Sequence, residues 1–125
     1  MKKQIHSEKA PAAIGPYSQA VEFNNTLYVS GQIPVDQASG EIANDIAEQT
    51  KQSMENIKYI VEEAGYVIND IVKCTIFLTD LNDFAVVNDV YGSFFSEPYP
   101  TRATVQVAAL PKGVNVEIDA IAYKN

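Results

Sequence analysis

The sequence predicts an α+β fold, with two helices packed on one face of a mixed β-sheet in the order β-β-α-β-α-β-β. Two segments, 45–64 and 82–95, place apolar residues at 3.6-residue spacing. The segments around them alternate polar and apolar residues with period two, the pattern of strands with two unlike faces. Each helix is followed by a strand, so each can act as a crossover that returns the chain parallel.

Taken in order, residues 8–16 carry two prolines and a glycine and read as an extended lead-in loop. Tyr17–Phe23 and Thr26–Ile33 read as two strands joined by a tight hairpin at Asn24-Asn25. Pro34–Gly40 has turn chemistry. Asp45–Ala64 is the clearest helix, with Ile46, Met54, Ile57, Val61 and Ala64 on one stripe. Asp45 with Glu48 three residues on resembles a capping box, and Gly65 is a natural stop. Asp70–Thr79 reads as a strand with Val72, Cys74, Ile76 and Leu78 on one face. A second helix is expected over Asn82–Phe95 with Phe84, Val87, Tyr91 and Phe94 buried. Pro98 and Pro100 then hold the chain extended. Two strands close the chain, Arg102–Ala108 and Val114–Tyr123. Their apolar faces (Ala103, Val105 and Val107; Val116, Ile118, Ala120 and Ala122) are expected against the helices. The opposite face of the last strand, Glu117, Asp119, Ile121 and Tyr123, has the mixed polarity of a subunit interface.

Composition narrows the function. A chain of 125 residues, 46% of them hydrophobic, is expected to form a single domain over 1–125 and to need no disulfide or metal staple. The lone Cys74 excludes an internal disulfide, and the basic N-terminus lacks the apolar core of a secretory signal. A cytoplasmic location is the expectation. Sixteen acidic residues against nine basic ones give a net charge of −7, with the basic residues scattered singly. That argues against nucleic acid and against anionic membrane surfaces as partners. One His and one Cys cannot build the usual zinc site, so no metal is expected. Phosphate-cradling glycine loops and a Gly-x-Ser-x-Gly elbow are both missing, and His6 lies in a terminus expected to be mobile.

Arg102 is the leading candidate for chemistry. It opens a strand just after the stiff Pro98-Tyr99-Pro100-Thr101 segment, and a guanidinium fork matches a carboxylate at any working pH. The plain alternative is a salt bridge to an acidic residue on a neighbouring strand. Glu117, on the mixed face, could carry a proton if partly withdrawn from water; otherwise it is a solvated strand residue or the partner of Arg102. Tyr17 could fix a polar ligand or simply pack. Asn88 lies beside the stripe of the second helix, where its amide needs partners from a ligand, another subunit or the monomer itself. Ser30-Gly31 puts a glycine inside a strand, allowing close approach of a ligand or another chain, with a β-bulge as the ordinary explanation. Cys74 is expected to be a small buried hydrophobe.

Together these segments resemble the Rid (reactive intermediate deaminase) family. The most specific part is Pro100-Thr101-Arg102-Ala103-Thr104-Val105-Gln106-Val107-Ala108-Ala109-Leu110-Pro111, followed by Val116-Glu117-Ile118. Ala13–Ala20, Ser30–Pro34 and the Asn82–Tyr91 segment add further matches. The resemblance implies a chorismate-mutase-like fold assembled as a homotrimer, its sheets lining a central barrel and a site in each cleft between subunits. It also implies hydrolysis of enamines and imines such as 2-aminoacrylate to 2-oxo acids and ammonia, with no cofactor. By matching position, Arg102 would bind the substrate carboxylate and Glu117 would orient water or pass its proton. Tyr17, Asn88 and the Ser30-Gly31 backbone would shape the pocket, and Thr104 could donate a hydrogen bond to the substrate. One departure stands out: many relatives carry a cysteine where this chain has Thr104, and a hydroxyl is a far weaker nucleophile than a thiol. Thiol chemistry is therefore not expected, whereas water-driven deamination is. The chief alternative is a non-enzymatic trimer that binds 2-oxo acids as a regulator. An endoribonuclease or translation-inhibitor activity, attached to some relatives, fits poorly with the acidic charge and the single His6.

Overall fold

The computed structural model describes residues 1–125. The strands are β1 (Lys3–Ile5), β2 (Ala20–Phe23), β3 (Thr26–Gln32), β4 (Ile71–Leu78), β5 (Thr101–Gln106) and β6 (Val116–Tyr123); the helices are α1 (Ile46–Glu63) and α2 (Phe84–Gly92). They form one six-stranded sheet in the order β1-β2-β3-β6-β4-β5. All neighbours are antiparallel except β4 and β5. Because β6 lies antiparallel between β3 and β4, those two run the same way, so both helices serve parallel crossovers as the sequence predicts.

Local chemistry explains the well-predicted elements. Asn24 and Asn25 take φ of 51° and 61°, the left-handed pair a type I′ hairpin requires. Asp45 caps α1, its Oδ2 accepting from the Glu48 backbone N–H at 3.1 Å. Gly65 follows the helix with φ of 85°. The core lies between the helices and one sheet face. Met54, Ile57, Ile60 and Val61 of α1 and Val87 and Tyr91 of α2 meet Leu27, Val29, Cys74, Ile76, Leu78, Ile118, Ala120 and Ala122 of the sheet.

Several expectations need correction. The N-terminus is not a mobile tail: Lys3–Ile5 pairs with Ala20–Glu22, and His6 Nε2 lies 3.2 Å from a Glu8 carboxylate oxygen. Tyr17 precedes β2 and sits in a turn, its N–H donating to the Gly15 carbonyl at 2.9 Å. A register shift between Ile71 and Lys73 turns Val72 outward and gives its inward place to Ile71. The second helix spans only Phe84–Gly92, behind a 3₁₀ turn at Leu81–Asp83, and Phe84 is exposed.

The largest correction concerns β5. Its register with β4 (Cys74–Arg102, Ile76–Thr104, Leu78–Gln106) puts Arg102, Thr104 and Gln106 on the helix side. Ala103 and Val105 pair with Thr75 and Phe77 and face away. The reversal is tolerable because β5 is an edge strand flanked by α2 and the 3₁₀ turn before it, whose polar groups receive the polar side chains. Gln106 Oε1 accepts from the Leu81 N–H at 2.8 Å, and Arg102 bonds to Asn88. β6 obeys the expectation: Val116, Ile118, Ala120 and Ala122 are buried against the helices.

Candidate functional site

Arg102 reaches from the edge of the sheet into a cleft between β5 and α2. Position 102 is fixed by strand pairing and by the Thr101 hydroxyl, which donates to the Val72 carbonyl at 3.1 Å. Its guanidinium Nη1 donates to Asn88 Oδ1 at 2.7 Å. The guanidinium carbon lies 5.4 Å from the Phe84 ring centroid and 5.1 Å from that of Tyr91, so two aromatic faces flank the charge. No carboxylate lies within ion-pair distance of it; the one basic side chain that close to a carboxylate is His6, beside Glu8. The salt-bridge alternative for Arg102 is thereby removed. The cleft encloses about 500 Å³ and is lined by Asn88, Tyr91, Gly92, Tyr99, Pro100 and Arg102, with no acidic group among them. A guanidinium braced by a neutral amide and two rings keeps its full charge for an anion from solution.

The apolar stripe of the second helix predicts Phe84 and Tyr91 as core residues. Their partnership with Asn88 was nevertheless written in the spacing, since 84, 88 and 91 stand at i, i+4 and i+7, one face of a helix. Tyr91 is largely core as well: its buried hydroxyl lies against the Cys74 thiol, and burial raises the pKa of both, that of Cys74 to about 11. Cys74 is thus an inert buried thiol, as expected. Thr104 shares the helix-side face with Arg102, and its hydroxyl is buried without a hydrogen-bond partner.

Glu117 stands elsewhere. It pairs with Phe77 across β6 and β4 and points away from the helices, its carboxylate resting against Gly31. Burial, and then the negative charge of Asp119, raise its pKa above the usual carboxylate value. Asp119 is itself fixed, its Oδ1 accepting from the Thr75 N–H at 2.9 Å. Tyr17 and Ser30 line a hollow of about 630 Å³ with Gly15, Ser18 and Tyr28. The Ser30 hydroxyl is committed within the chain, donating to the Ser18 carbonyl at 2.6 Å.

The candidate residues therefore form two groups. Arg102, Asn88 and Thr104 lie together on the helix side of the sheet edge. Glu117 and Gly31 lie on the other face, two and three strands inward, with Tyr17 and Ser30 along the nearby hollow. One copy of the chain does not bring Arg102 and Glu117 into a single pocket.

Comparison with known proteins gives a consistent answer. Residues 7–124 match the family model described as Endoribonuclease L-PSP. The chain is 53% identical over 127 residues to the 2-iminobutanoate/2-iminopropanoate deaminase of Escherichia coli (strain K12), covering 99% of each protein. It is 54% identical over 125 residues to a RutC family protein of Pyrococcus horikoshii, again covering 99% of each. The crystal structure of E. coli TdcF with bound serine superposes with a TM-score of 0.95 at 52% identity, covering 98% of this chain and 99% of that one. These matches run across nearly the whole chain, including the Arg102 and Glu117 segments, and the chain accordingly belongs to the Endoribonuclease L-PSP family, the Rid family that its motifs resemble.

Proposed function

We propose that this protein hydrolyses small carboxylate-bearing enamines and imines, of the 2-aminoacrylate type, to 2-oxo acids and ammonia. The observation that carries the reading is an arginine held ready by an amide and two rings in an open cleft, with no carboxylate of its own. The deaminase name borne by a relative 53% identical supports the reaction class.

The chemistry asks little of the protein. The enamine tautomerises to an imine; water adds to the C=N carbon; the resulting carbinolamine collapses, releasing ammonia and leaving the 2-oxo acid. Arg102 holds the carboxylate and so presents the imine carbon to water, a positioning contribution. Glu117, whose pKa is raised, keeps a proton to higher pH than an ordinary carboxylate and can deliver it to the leaving nitrogen. No cofactor enters this sequence.

Because Arg102 and Glu117 occupy opposite sheet faces, the complete site is assigned to the junction between copies of the chain, in a homotrimer whose sheets line a central barrel. The helix-free face supports this: Tyr28 is 46% and Val105 40% exposed, beside Phe77, Ile121 and Ala103. Ammonia release from 2-aminoacrylate generated in situ, with and without the protein, tests the activity.

A non-enzymatic 2-oxo-acid-binding role is the second reading. It is favoured by one feature: the residues lining the Arg102 cleft all come from one chain, whereas the acid–base group lies elsewhere. Binding of 2-oxobutyrate without any turnover would select it. RNA cleavage, which the family description names, finds little support in a net charge of −7 and a single His6 paired with Glu8.

A further inference from the structure

In the pairing of β3 with β6, Val29 lies opposite Ala120 and Gln32 opposite Ile118, so Ser30 and Gly31 share the single partner Asp119. This is a β-bulge, and bulges often need glycine for a left-handed φ. Gly31 does not have one; the glycines with positive φ are Gly15, Gly40, Gly65 and Gly113. The reason for a glycine is therefore space. A Cβ on Gly31 would collide with Oε2 of Glu117 and stand 2.8 Å from its Cδ and 3.1 Å from its Cγ.

The bulge is firmly held. The Ser30 N–H donates to the Gln19 carbonyl at 2.9 Å and its hydroxyl to the Ser18 carbonyl at 2.6 Å, while Gln32 Nε2 donates to the Ser30 carbonyl at 3.2 Å. Gln19 is buried and tied to Ser7, Ala10 and Pro11. The Glu117 carboxylate thus rests on a fixed backbone platform. The other titratable groups on this sheet face are Asp119 and Tyr123 of β6, Lys73 of β4 and Tyr28 of β3, whereas β5 presents Ala103 and Val105.

We propose that Gly31 is a positioning residue: the room left by its missing side chain is the seat of the Glu117 carboxylate and fixes where that group stands during proton transfer. The inference rests on the role proposed above for Glu117. It assigns to Gly31 a task separate from shaping the pocket with its backbone, on the sheet face opposite the Arg102 of the same chain.

The test follows the Glu117 carboxyl carbon by NMR titration in protein carrying carboxyl-labelled glutamate, assigned with Glu117→Gln, alongside ammonia-release kinetics. In Gly31→Ala the displaced carboxylate meets more water, so its titration moves back toward the ordinary carboxylate range. Turnover falls about 10- to 100-fold, well beyond any loss of 2-oxobutyrate affinity. Glu117→Asp, with the glycine intact, withdraws the carboxylate by one methylene and, without any steric insult, lowers turnover more than 2-oxobutyrate affinity, so the kinetics decide the matter if Gly31→Ala does not fold. Combining the two costs little more than either alone, because each empties the same seat. The proposal is overturned if Gly31→Ala leaves titration and turnover unchanged, or if the two losses multiply. Should the parent protein show no turnover, the deaminase reading falls, and the titration still judges the seat.

Discussion

Replacing Asn88 by Asp would change the shape beside Arg102 very little and its electrostatics a great deal. In the native chain a neutral amide oxygen accepts from Nη1 at 2.7 Å. Asn88→Asp puts a full negative charge at that point, beside the space where a substrate carboxylate would bind. Two carboxylates roughly 5 Å apart repel by about 0.8 kcal/mol in a water-like medium and about 3 kcal/mol near a protein surface. Competition for the guanidinium removes a further 0.2–1 kcal/mol or so, the usual worth of an exposed pair. The expected loss of 2-oxobutyrate affinity is therefore about 1–4 kcal/mol, roughly 5- to 800-fold. Asn88→Ala removes only the brace and should cost about 0.5–1.5 kcal/mol. Calorimetric titration at low and high salt separates the two, since the deficit of the aspartate variant should shrink with salt and that of the alanine variant should not. Equal affinity of the aspartate and parent proteins would refute the idea that an unpaired Arg102 is the anion anchor.

Further outcomes can be checked directly. Arg102→Ala should abolish ammonia release with little change in melting temperature, because the side chain is exposed at the sheet edge; Arg102→Lys keeps the charge but loses the planar fork and should retain only part of the activity. Unchanged turnover in Arg102→Ala would contradict the proposed reaction. Glu117→Gln should slow turnover more than it weakens ligand binding. It should also alter stability with pH. The folded pKa of Glu117 is raised, so ionisation costs stability once pH climbs through that value, and there is no cost below the unfolded value of about 4.3. Melting curves should therefore show the Gln variant gaining on the parent near neutral pH and matching it below about pH 4; a gain confined to acid would show that the sign is wrong. Tyr66→Phe loses the hydroxyl that donates to Glu22 at 2.7 Å and should lower stability by about 0.5–1.5 kcal/mol, leaving turnover per folded molecule intact.

The elements themselves were legible in the sequence because their signals are local. The Asp45 cap, the stripe of α1, the Gly65 stop and the Asn24-Asn25 turn each act within a few residues, and each appears in the structure where its chemistry requires. Arg102 was also legible as a candidate, since a guanidinium after a proline-stiffened segment is conspicuous in the chain alone. Alternation, however, tells only that the two faces of a strand differ. It does not say which face meets the helices, and β5 settled that through its parallel register with β4 and its place at the sheet edge. The bulges at Ile71–Lys73 and Val29–Gln32 likewise change parity in mid-strand without any mark a period of two could reveal. Tertiary structure alone decided that Arg102 and Glu117 stand on opposite faces, that Asn88, Phe84 and Tyr91 surround the arginine, and that Glu117 rests on Gly31. The physical reason is the same in each case: the sequence specifies which side chains share a face of their own element, and only the pairing of distant strands specifies where that face points.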